Sequence, residues 1–214
     1  MRYMRVRTIV IAVVGSAAAI VSWAQNSSDE KKPPAIHSQQ PHTPRAEHAT
    51  KVEKAIAVLM PVGNSGCTGT IHFEQTASGL KITGEVRGLK PGKHGFHVHE
   101  FGDLSDQAKG ESAGSHYNPT HEQHGDTDDT KRHAGDFGNI EANQNGVAMI
   151  QYTDPVAALN GPHSILGRAV VVHVDEDKFT QPTGDAGARA AFGVVGVAKD
   201  GVKKNNMKPM NSSN

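Results

Sequence analysis

The fold class that the sequence predicts is all-β, a sandwich or barrel of eight short strands. The first observation is a series of apolar or alternating segments whose lengths are typical of strands. The second is the set of Gly, Pro, Asn and Ser residues that separate these segments and indicate turns. The third is that no segment of useful length has the periodicity of an amphipathic helix. Regularly spaced short strands of this kind favour a sandwich or barrel.

The eight predicted strands fall into two sets of four. The first set follows in quick succession, with turn residues between its members, and comprises 54–60, 69–75, 81–87 and 94–99. The second set is more widely spaced and comprises 139–142, 147–152, 169–174 and 190–198. Because the side chains of a strand point alternately to its two faces, each alternating segment is expected to bury one face.

Two long polar segments interrupt this spacing. Residues 102–138 are rich in Gly, His, Asp, Ser and Thr, and residues 175–188 form a second, shorter segment. A structureless loop of more than about 15 residues is uncommon inside a compact domain and is usually functional or disordered. The first segment contains several side chains of the metal-binding type, so we expect bound metal to order it.

The tripeptide His97-Val98-His99 lies at the end of the fourth predicted strand. In an extended strand the two imidazoles project from one face, while Phe96 and Val98 point into the core. Two converging imidazoles suit copper or zinc. For the tripeptide alone, a strand with two exposed histidines is an equally good interpretation, and it is the residues further along the chain that favour a metal site.

A second group of metal-binding residue types lies in the first polar segment, with the spacing His116-x7-His124-x8-His133-x2-Asp136. Three imidazoles and one carboxylate are sufficient for a closed tetrahedral zinc site. His173, in the seventh predicted strand, would by itself be an ordinary strand histidine. The combination of a strand pair, a loop group and a downstream strand histidine predicts metal binding.

Composition limits the function classes. The 214 residues include 22 basic and 22 acidic ones, a balance that argues against nucleic-acid binding and against a polybasic membrane role. Cys67 is the only cysteine of the chain. No intrachain disulfide can therefore form.

The two ends of the chain lack the strand pattern. Residues 1–24 have a basic start, a 14-residue apolar run and small residues before a cleavage position after Ala24, which is typical of a secretory signal peptide. The run is shorter than the roughly 20 residues needed to span a bilayer. We therefore expect a secreted or periplasmic protein with no stable membrane insertion after cleavage. Residues 25–50 are expected to be a disordered linker and 201–214 a flexible tail, which leaves 51–200 as the folded domain.

Five motifs give the chain a close resemblance to the copper,zinc superoxide dismutase family. They occur in the family's order between residues 54 and 199 and read HGFHVHEFGD (94–103), SAGSHYNP (112–119), RHAGDFGN (132–139), GRAVVVH (167–173) and TGDAGAR (183–189). The resemblance implies an eight-stranded, immunoglobulin-like Greek-key β-sandwich or barrel with two long functional loops.

The resemblance also implies the ligands of one copper ion and one zinc ion per chain. Copper would be held by His97, His99, His116 and His173, and zinc by His116, His124, His133 and Asp136. His116 would then bind both ions through its two ring nitrogens. Asp177 would accept hydrogen bonds from His97 and His124 and so fix the orientation of their rings.

The implied activity is the dismutation of superoxide, the substrate, to dioxygen and hydrogen peroxide. Copper would be the redox metal, because zinc has no accessible redox change. The catalytic residues would be His116, which carries a proton, and Arg189, which guides the anion to copper. Thr183 would face Arg189 across the channel, and Lys178 would be a solvated surface lysine. His94 would support the copper site from behind.

The chain departs from the family pattern at its disulfide. Most members link the long loop to the last strand, but here the corresponding positions hold Glu111 and Phe192, and Cys67 matches neither. Such a disulfide is typically worth about 2–4 kcal/mol. We therefore expect Phe192 packing and bound zinc to hold the loop. In the family this loop also braces the arginine and contributes to subunit contacts, so a homodimer and the setting of Arg189 are open expectations.

Two other functions fit part of the pattern. A non-catalytic secreted copper- and zinc-binding module, for buffering or delivery, would use the same ligands, and the histidines of residues 25–50 fit it equally well. It is disfavoured because all seven ligands, Asp177 and Arg189 are present. A structural or adhesive β-sandwich would require the ligand matches to be accidental. His121 has no counterpart in the family and is expected to be a solvated loop residue.

Overall fold

The computed structural model describes residues 51–201. This part of the chain contains nine strands: β1 (Lys54–Pro61), β2 (Thr68–Thr76), β3 (Gly79–Arg87), β4 (Gly92–Val98), β5 (Asp136–Ala142), β6 (Val147–Asp154), β7 (Ala169–His173), β8 (Arg189–Val194) and β9 (Gly196–Val197). A 3-10 turn at Glu111–Ala113 is its one helical element. No helix within 51–201 is long and apolar enough to cross a membrane. The predicted signal peptide 1–24, the linker 25–50 and nearly all of the predicted tail 201–214 lie outside the described residues.

The first eight strands close into an antiparallel barrel. Around the ring their order is β1-β2-β3-β6-β5-β4-β7-β8, and β8 returns to β1 through the pairs Met60–Phe192 and Pro61–Ala191. The short β9 pairs with β1. Strands β4, β5 and β6 are consecutive neighbours and β7 returns to lie beside β4, which is a Greek-key arrangement. The predicted all-β class and the eight-stranded barrel are therefore confirmed, and the short β9 is an additional strand.

Each predicted strand has a counterpart, and two bounds differ for physical reasons. β5 begins at Asp136 instead of 139, because the β4–β5 pairing continues past a register shift after Gly95 and joins Asp136 to His97. The last predicted strand, 190–198, is divided between β8 and β9 because Val195 makes its backbone hydrogen bonds elsewhere. Its N–H donates to the carbonyl of Arg168 and its carbonyl accepts from Gly167, both at 2.9 Å.

Alternation along β4 and β7 sorts their side chains between the inside and the outside of the barrel. Phe96 and Val98 of β4 belong to the main core inside the barrel, together with Val170 and Val172 of β7. The residues between them project from the opposite face, as the period of a strand requires. His97 therefore lies on the outer face of the barrel, as the sequence predicted.

Two long loops cross this outer face, one joining β4 to β5 and the other joining β7 to β8. The β4–β5 loop is fastened to the end of β4 at Tyr117, which donates to the carbonyl of Val98 (2.8 Å) and accepts from Gly135 (2.9 Å). Beside this point His99 and His116 form an isolated bridge. The fold thus brings the histidines of the loop against those of the strands.

Candidate metal centre

Four buried histidines from three parts of the chain meet on the outer face of the barrel. His97 belongs to β4, His99 follows that strand directly, His116 comes from the β4–β5 loop and His173 ends β7. The ring centroids are 4.0 Å apart for His97–His116, 5.0 Å for His97–His173 and 5.2 Å for His99–His116. One potential ligand atom of each lies within 4.8 Å of the others. These four residues form the strand-side group.

In three of these histidines, one ring nitrogen has a hydrogen-bond partner in the protein and the other has none. Nε2 of His97 lies 2.7 Å from the carboxylate of Asp177. Nδ1 of His99 and of His173 each face a backbone carbonyl, at 2.9 and 3.1 Å. The remaining nitrogens, Nδ1 of His97 and Nε2 of the other two, are buried without a hydrogen-bond partner. Because buried polar atoms are normally satisfied, three convergent bare imidazole nitrogens fit a bound metal ion.

A second group surrounds Asp136, at the start of β5. The Nδ1 atoms of His116, His124 and His133 lie 2.8, 3.0 and 3.0 Å from the same Oδ1 atom of Asp136, and all four residues are buried. The other carboxylate oxygen accepts from the backbone N–H groups of Gly125 and His133, at 3.1 Å each. Three imidazoles and one carboxylate oxygen form the donor set of a closed zinc site. These four residues form the loop-side group.

His116 is common to both groups. Its Nδ1 faces Asp136, which leaves Nε2 as the atom that it offers to the strand-side group. A ring with one nitrogen towards each group is suited to link two metal ions. The seven predicted ligands are thus brought together in two groups that share one residue, and which ion each group binds is a proposal made from this arrangement.

Asp177, in the β7–β8 loop, lies between the two groups. Its carboxylate receives Nε2 of His97 at 2.7 Å and Nε2 of His124 at 3.0 Å, which are the contacts that the resemblance implied. The neighbouring Gly184 leaves room for it, since a Cβ there would lie 1.8 Å from Oδ1 of Asp177. Gly184 also has a φ of 79°, a conformation that favours glycine.

Two amide side chains that sequence reasoning missed hold this arrangement from outside. Asn139 exchanges two hydrogen bonds with the backbone of Asp177. Gln181 does the same for His124, whose N–H donates to Oε1 (3.0 Å) and whose carbonyl accepts from Nε2 (2.8 Å). Asn139 ends the motif RHAGDFGN, so a signal for it was available. Gln181 lies in a polar segment with no distinguishing pattern.

Two further histidines have different surroundings. His94 is buried, with Nδ1 2.9 Å from the carbonyl of His173 and Nε2 2.8 Å from the carbonyl of Lys90. It therefore contacts the backbone of His173, a ligand of the strand-side group. His121 is exposed and belongs to neither group, as expected for a solvated loop residue.

Burial keeps the strand-side imidazoles neutral. It lowers the pKa of all four, to about 4 for His116 and to about 3 for His173. Burial also acts downward on the pKa of His124, but interactions with Asp136 and Asp177 outweigh it and raise that pKa to about 9. Neutral imidazole is the form that binds metal. A metal ion in the loop-side group would therefore displace a proton from His124.

A cavity of about 430 Å³ opens beside the strand-side group and is lined by His99, His116, His173, Thr183 and Arg189, among others. The guanidinium of Arg189 is half-buried and donates to the carbonyls of Gly110 and Gly114 in the β4–β5 loop. Two of its five N–H bonds are used in this way, which leaves others for a ligand. Thr183 and Arg189 thus line the same cavity as three ligands of the strand-side group.

The rim of the cavity carries a pair of opposite charges. Asp185 lines the cavity, and its carboxylate lies 2.9 Å from Nζ of Lys178. Both side chains are exposed. Lys178 is a surface lysine, as expected, but its charge is offset by Asp185 and adds little to the field at the rim.

Comparison with known proteins relates this site to a family. The family model described as copper/zinc superoxide dismutase (SODC) matches residues 67–195. The extracellular superoxide dismutase (Cu-Zn) of Brugia pahangi is 45% identical over 159 residues, which cover 70% of this chain and 78% of that protein. The crystal structure of the clock protein EA4 matches with a TM-score of 0.65 and 42% identity, over 70% of this chain and 97% of that one. The chain therefore belongs to the copper/zinc superoxide dismutase family.

Proposed function

We propose that the two ligand groups serve one reaction, in which two superoxide anions and two protons become dioxygen and hydrogen peroxide. Superoxide dismutation, with copper and zinc as cofactors, follows from the family to which the chain belongs. The observation that carries the assignment of residues is that His116 is common to both groups. The alternative of a non-catalytic metal-binding module is not favoured by these relationships.

The strand-side group is assigned to copper, with His97, His99, His116 and His173 as ligands. Copper, when bound, alternates between two oxidation states and supplies the electron exchange with superoxide. Three of the four ligands line the cavity, so a small anion reaches this group from solvent. In His97, His99 and His173, the ring nitrogen that faces away from the metal position contacts Asp177 or a backbone carbonyl. These contacts hold the rings in fixed orientations, as partners of metal-bound histidines generally do.

The loop-side group is assigned to zinc, with His116, His124, His133 and Asp136 as ligands. Its four donors complete a tetrahedral set, which is typical of structural zinc. Among the described residues, His116 is the one member of this group that lines the cavity. The group therefore fixes the ring of His116 from the side away from the substrate.

Two side chains act on the substrate. His116 would carry a proton at Nε2 only while that nitrogen is not bound to copper, because its Nδ1 is directed to the loop-side group. It would give this proton to the substrate, because hydrogen peroxide needs protons that the anion lacks. Arg189 attracts superoxide into the cavity and donates a hydrogen bond to it, because positive charge in a cleft concentrates small anions there.

The test is superoxide dismutation by the purified protein, with copper and zinc measured on the same sample. We expect activity with about one copper and one zinc per chain, the stoichiometry that two complete ligand sets give. His173→Ala should abolish activity and copper binding while zinc is retained, since His173 belongs to the strand-side group alone. His121→Ala, an exposed loop histidine outside both groups, is the control.

Loss of zinc together with copper in His173→Ala would contradict the division of the ligands. Full occupancy by both metals without dismutation would contradict the assigned roles of His116 and Arg189, and would support the metal-binding module instead.

We further propose a homodimer formed through the outer face of β1. Val58 and Met60 are 62% and 41% exposed. They are two residues apart on this strand, so their side chains project from the same face, whereas Ala57 and Leu59 are buried on the other face. Exposed apolar surface is typical of protein interfaces. Sedimentation equilibrium is expected to give twice the chain mass, and the single chain mass for Val58→Glu. A single chain mass for the unmodified protein would contradict the dimer.

Secretion is the proposed location. The Brugia pahangi relative is extracellular by its name, and residues 1–24 have the pattern of a signal peptide. N-terminal sequencing of the exported protein is expected to begin at Gln25. An exported protein that still carries residues 1–24 would contradict cleavage after Ala24.

A further inference from the structure

A second, smaller hydrophobic core lies outside the barrel, under the β4–β5 loop. It consists of five buried residues, with Leu104 packed at its edge: Val62, Ala113, Ala169, Val171 and Phe192. Ala113 comes from the loop, whereas Ala169 and Val171 come from β7 and Phe192 from β8. This outer core packs the loop against the barrel, next to a hydrogen bond from the N–H of Gly63 to the carbonyl of Gln107 in the loop (2.7 Å).

The register of the barrel connects Phe192 to the ligand strands. Phe192 pairs with Val171 of β7, and Val171 pairs with His97 of β4. Residues that are opposite each other on neighbouring strands carry their side chains on the same face. Phe192, Val171 and His97 therefore form one transverse row on the outer face, and Phe192 is fully buried there.

The part of the loop held by the outer core is also the part that orients Arg189. The carbonyls to which its guanidinium donates, those of Gly110 and Gly114, flank the 3-10 turn that contains Ala113. Gly110 packs closely on both sides: a Cβ there would lie 3.1 Å from Cδ of Arg189 and 3.4 Å from a methyl of Val62. A shift of this turn would move both carbonyl acceptors together.

We propose that Phe192 is a positioning residue for Arg189. By filling the outer core beneath Ala113, it fixes the turn that carries the two carbonyl acceptors, and so sets the affinity of the cavity for small anions. The inference rests on the anion-binding role proposed for Arg189. No disulfide holds this turn, because the chain has a single, buried cysteine. The turn is held instead by this apolar packing together with hydrogen bonds such as that from the N–H of Phe101 to the carbonyl of Ala113 (3.0 Å).

The test is titration of the copper- and zinc-loaded protein with azide, a small anion whose binding to copper is followed by absorbance. Phe192→Leu and Phe192→Ala are compared with Phe73→Leu, an equally buried phenylalanine of the main core on β2. We expect the azide Kd to rise by about threefold to tenfold in the Phe192 variants, because a small misplacement of a binding group is costly. The Kd of Phe73→Leu is expected to stay unchanged.

A second readout needs no copper. Lys109 is exposed and precedes Gly110 in the loop, so tryptic cleavage after Lys109 reports how firmly the turn is held. In the zinc-loaded protein, mass spectrometry is expected to show faster cleavage there in the Phe192 variants than in Phe73→Leu. If Phe192→Ala does not fold, Phe192→Leu and Val62→Ala provide the same comparison.

An unchanged azide Kd and cleavage rate in the Phe192 variants would overturn the inference, as would equal effects in Phe73→Leu. Arg189→Gln distinguishes this failure from failure of the proposed function. If Arg189→Gln weakens azide binding while the Phe192 variants do not, Arg189 keeps its role and the positioning role of Phe192 is wrong. If Arg189→Gln leaves azide binding unchanged, the proposed role of Arg189 is itself wrong.

Discussion

Asn139 and Asp177 are joined by two hydrogen bonds of opposite direction. Nδ2 of Asn139 donates to the carbonyl of Asp177 at 2.9 Å, and the N–H of Asp177 donates to Oδ1 of Asn139 at 2.8 Å. Asn139 lies in β5, the strand that begins with Asp136. The Asp177 carboxylate, which contacts one histidine of each ligand group, is therefore positioned from a barrel strand although it lies in a loop.

Replacement of Asn139 by Ala is expected to weaken zinc binding about tenfold, since loss of an outer partner of a metal-bound histidine typically costs about 10–100-fold. Without the amide, the Asp177 backbone is released and its carboxylate no longer holds the ring of His124 in place. Competition with a chromophoric chelator at fixed pH measures the change. Asn145→Ala, in an exposed turn, is the control, and an unchanged zinc affinity in Asn139→Ala would show that the loop holds Asp177 without the amide.

Lys178 and Asp185 form an ion pair at the rim of the cavity. We expect replacement of one residue to have the opposite effect on substrate capture to replacement of the other. Asp185→Asn removes a negative charge that lines the cavity and leaves Lys178 unpaired, so kcat/KM for superoxide should rise about twofold to threefold at low ionic strength. Lys178→Gln leaves Asp185 unpaired and should lower kcat/KM by a similar factor. Both differences should shrink as salt is added, because exposed charges are screened.

Stopped-flow or pulse-radiolysis kinetics over a range of salt concentrations provides the measurement. Glu85→Gln, on β3, removes a half-buried charge that pairs with Arg87, as Asp185 pairs with Lys178. Because β3 carries no ligand of either group, this variant is the matched control. Equal rates for the two rim variants at low salt would mean that the pair does not influence the approach of the anion.

How much of the site was predictable differs between strands and loops. The facing of His97 and the burial of Phe96 and Val98 follow from the period of a strand, and both expectations are confirmed. The spacing of the loop histidines indicates a metal, but it does not say which ring nitrogens converge on Asp136. The sharing of His116 between the groups came only from the family resemblance.

Contacts formed where β8 closes on β1 were less predictable from the sequence. Packing of Phe192 was expected, but its partners Val62 and Ala113 come from a turn after β1 and from the long loop, and only closure of β8 on β1 brings them together. Amides that bind backbone groups, such as Gln181, leave no periodic signal in the sequence. The break between β8 and β9 was missed because Val195 is apolar and fits a strand equally well.

Removal of zinc is expected to lower the melting temperature by about 10 °C or more. The β4–β5 loop is polar, and the loop-side group gathers three of its histidines around Asp136. A ligand present at a thousandfold its Kd stabilises the folded state by about 4 kcal/mol, and each kcal/mol shifts the Tm of a domain of this size by about 2–4 °C. Calorimetry before and after chelation, with His121→Ala as control, measures the shift. A change below about 2 °C would show that packing alone holds the loop.

Because the thiol of Cys67 is buried, we expect the protein to lose stability at alkaline pH. Its thiol is fully buried, and burial raises its pKa from 9.0 to about 11. Between these values the unfolded chain loses the thiol proton while the folded protein keeps it, so the unfolded state binds fewer protons and the free energy of unfolding falls as pH rises. At neutral pH the thiol is protonated in both states and has no such effect.

The measurement compares urea unfolding of the protein and of Cys67→Ala at about pH 8 and about pH 10.5. From the two pKa values, the unmodified protein should lose about 2 kcal/mol more than Cys67→Ala between these pH values. The cavity left by the substitution lowers stability by a constant amount, and the contributions of lysines and tyrosines are shared by both proteins. Both contributions therefore cancel when the change in the free energy of unfolding with pH is compared between the two proteins. If the free energy of unfolding changed equally with pH in both proteins, the buried thiol would ionise as readily in the folded protein as in the unfolded chain.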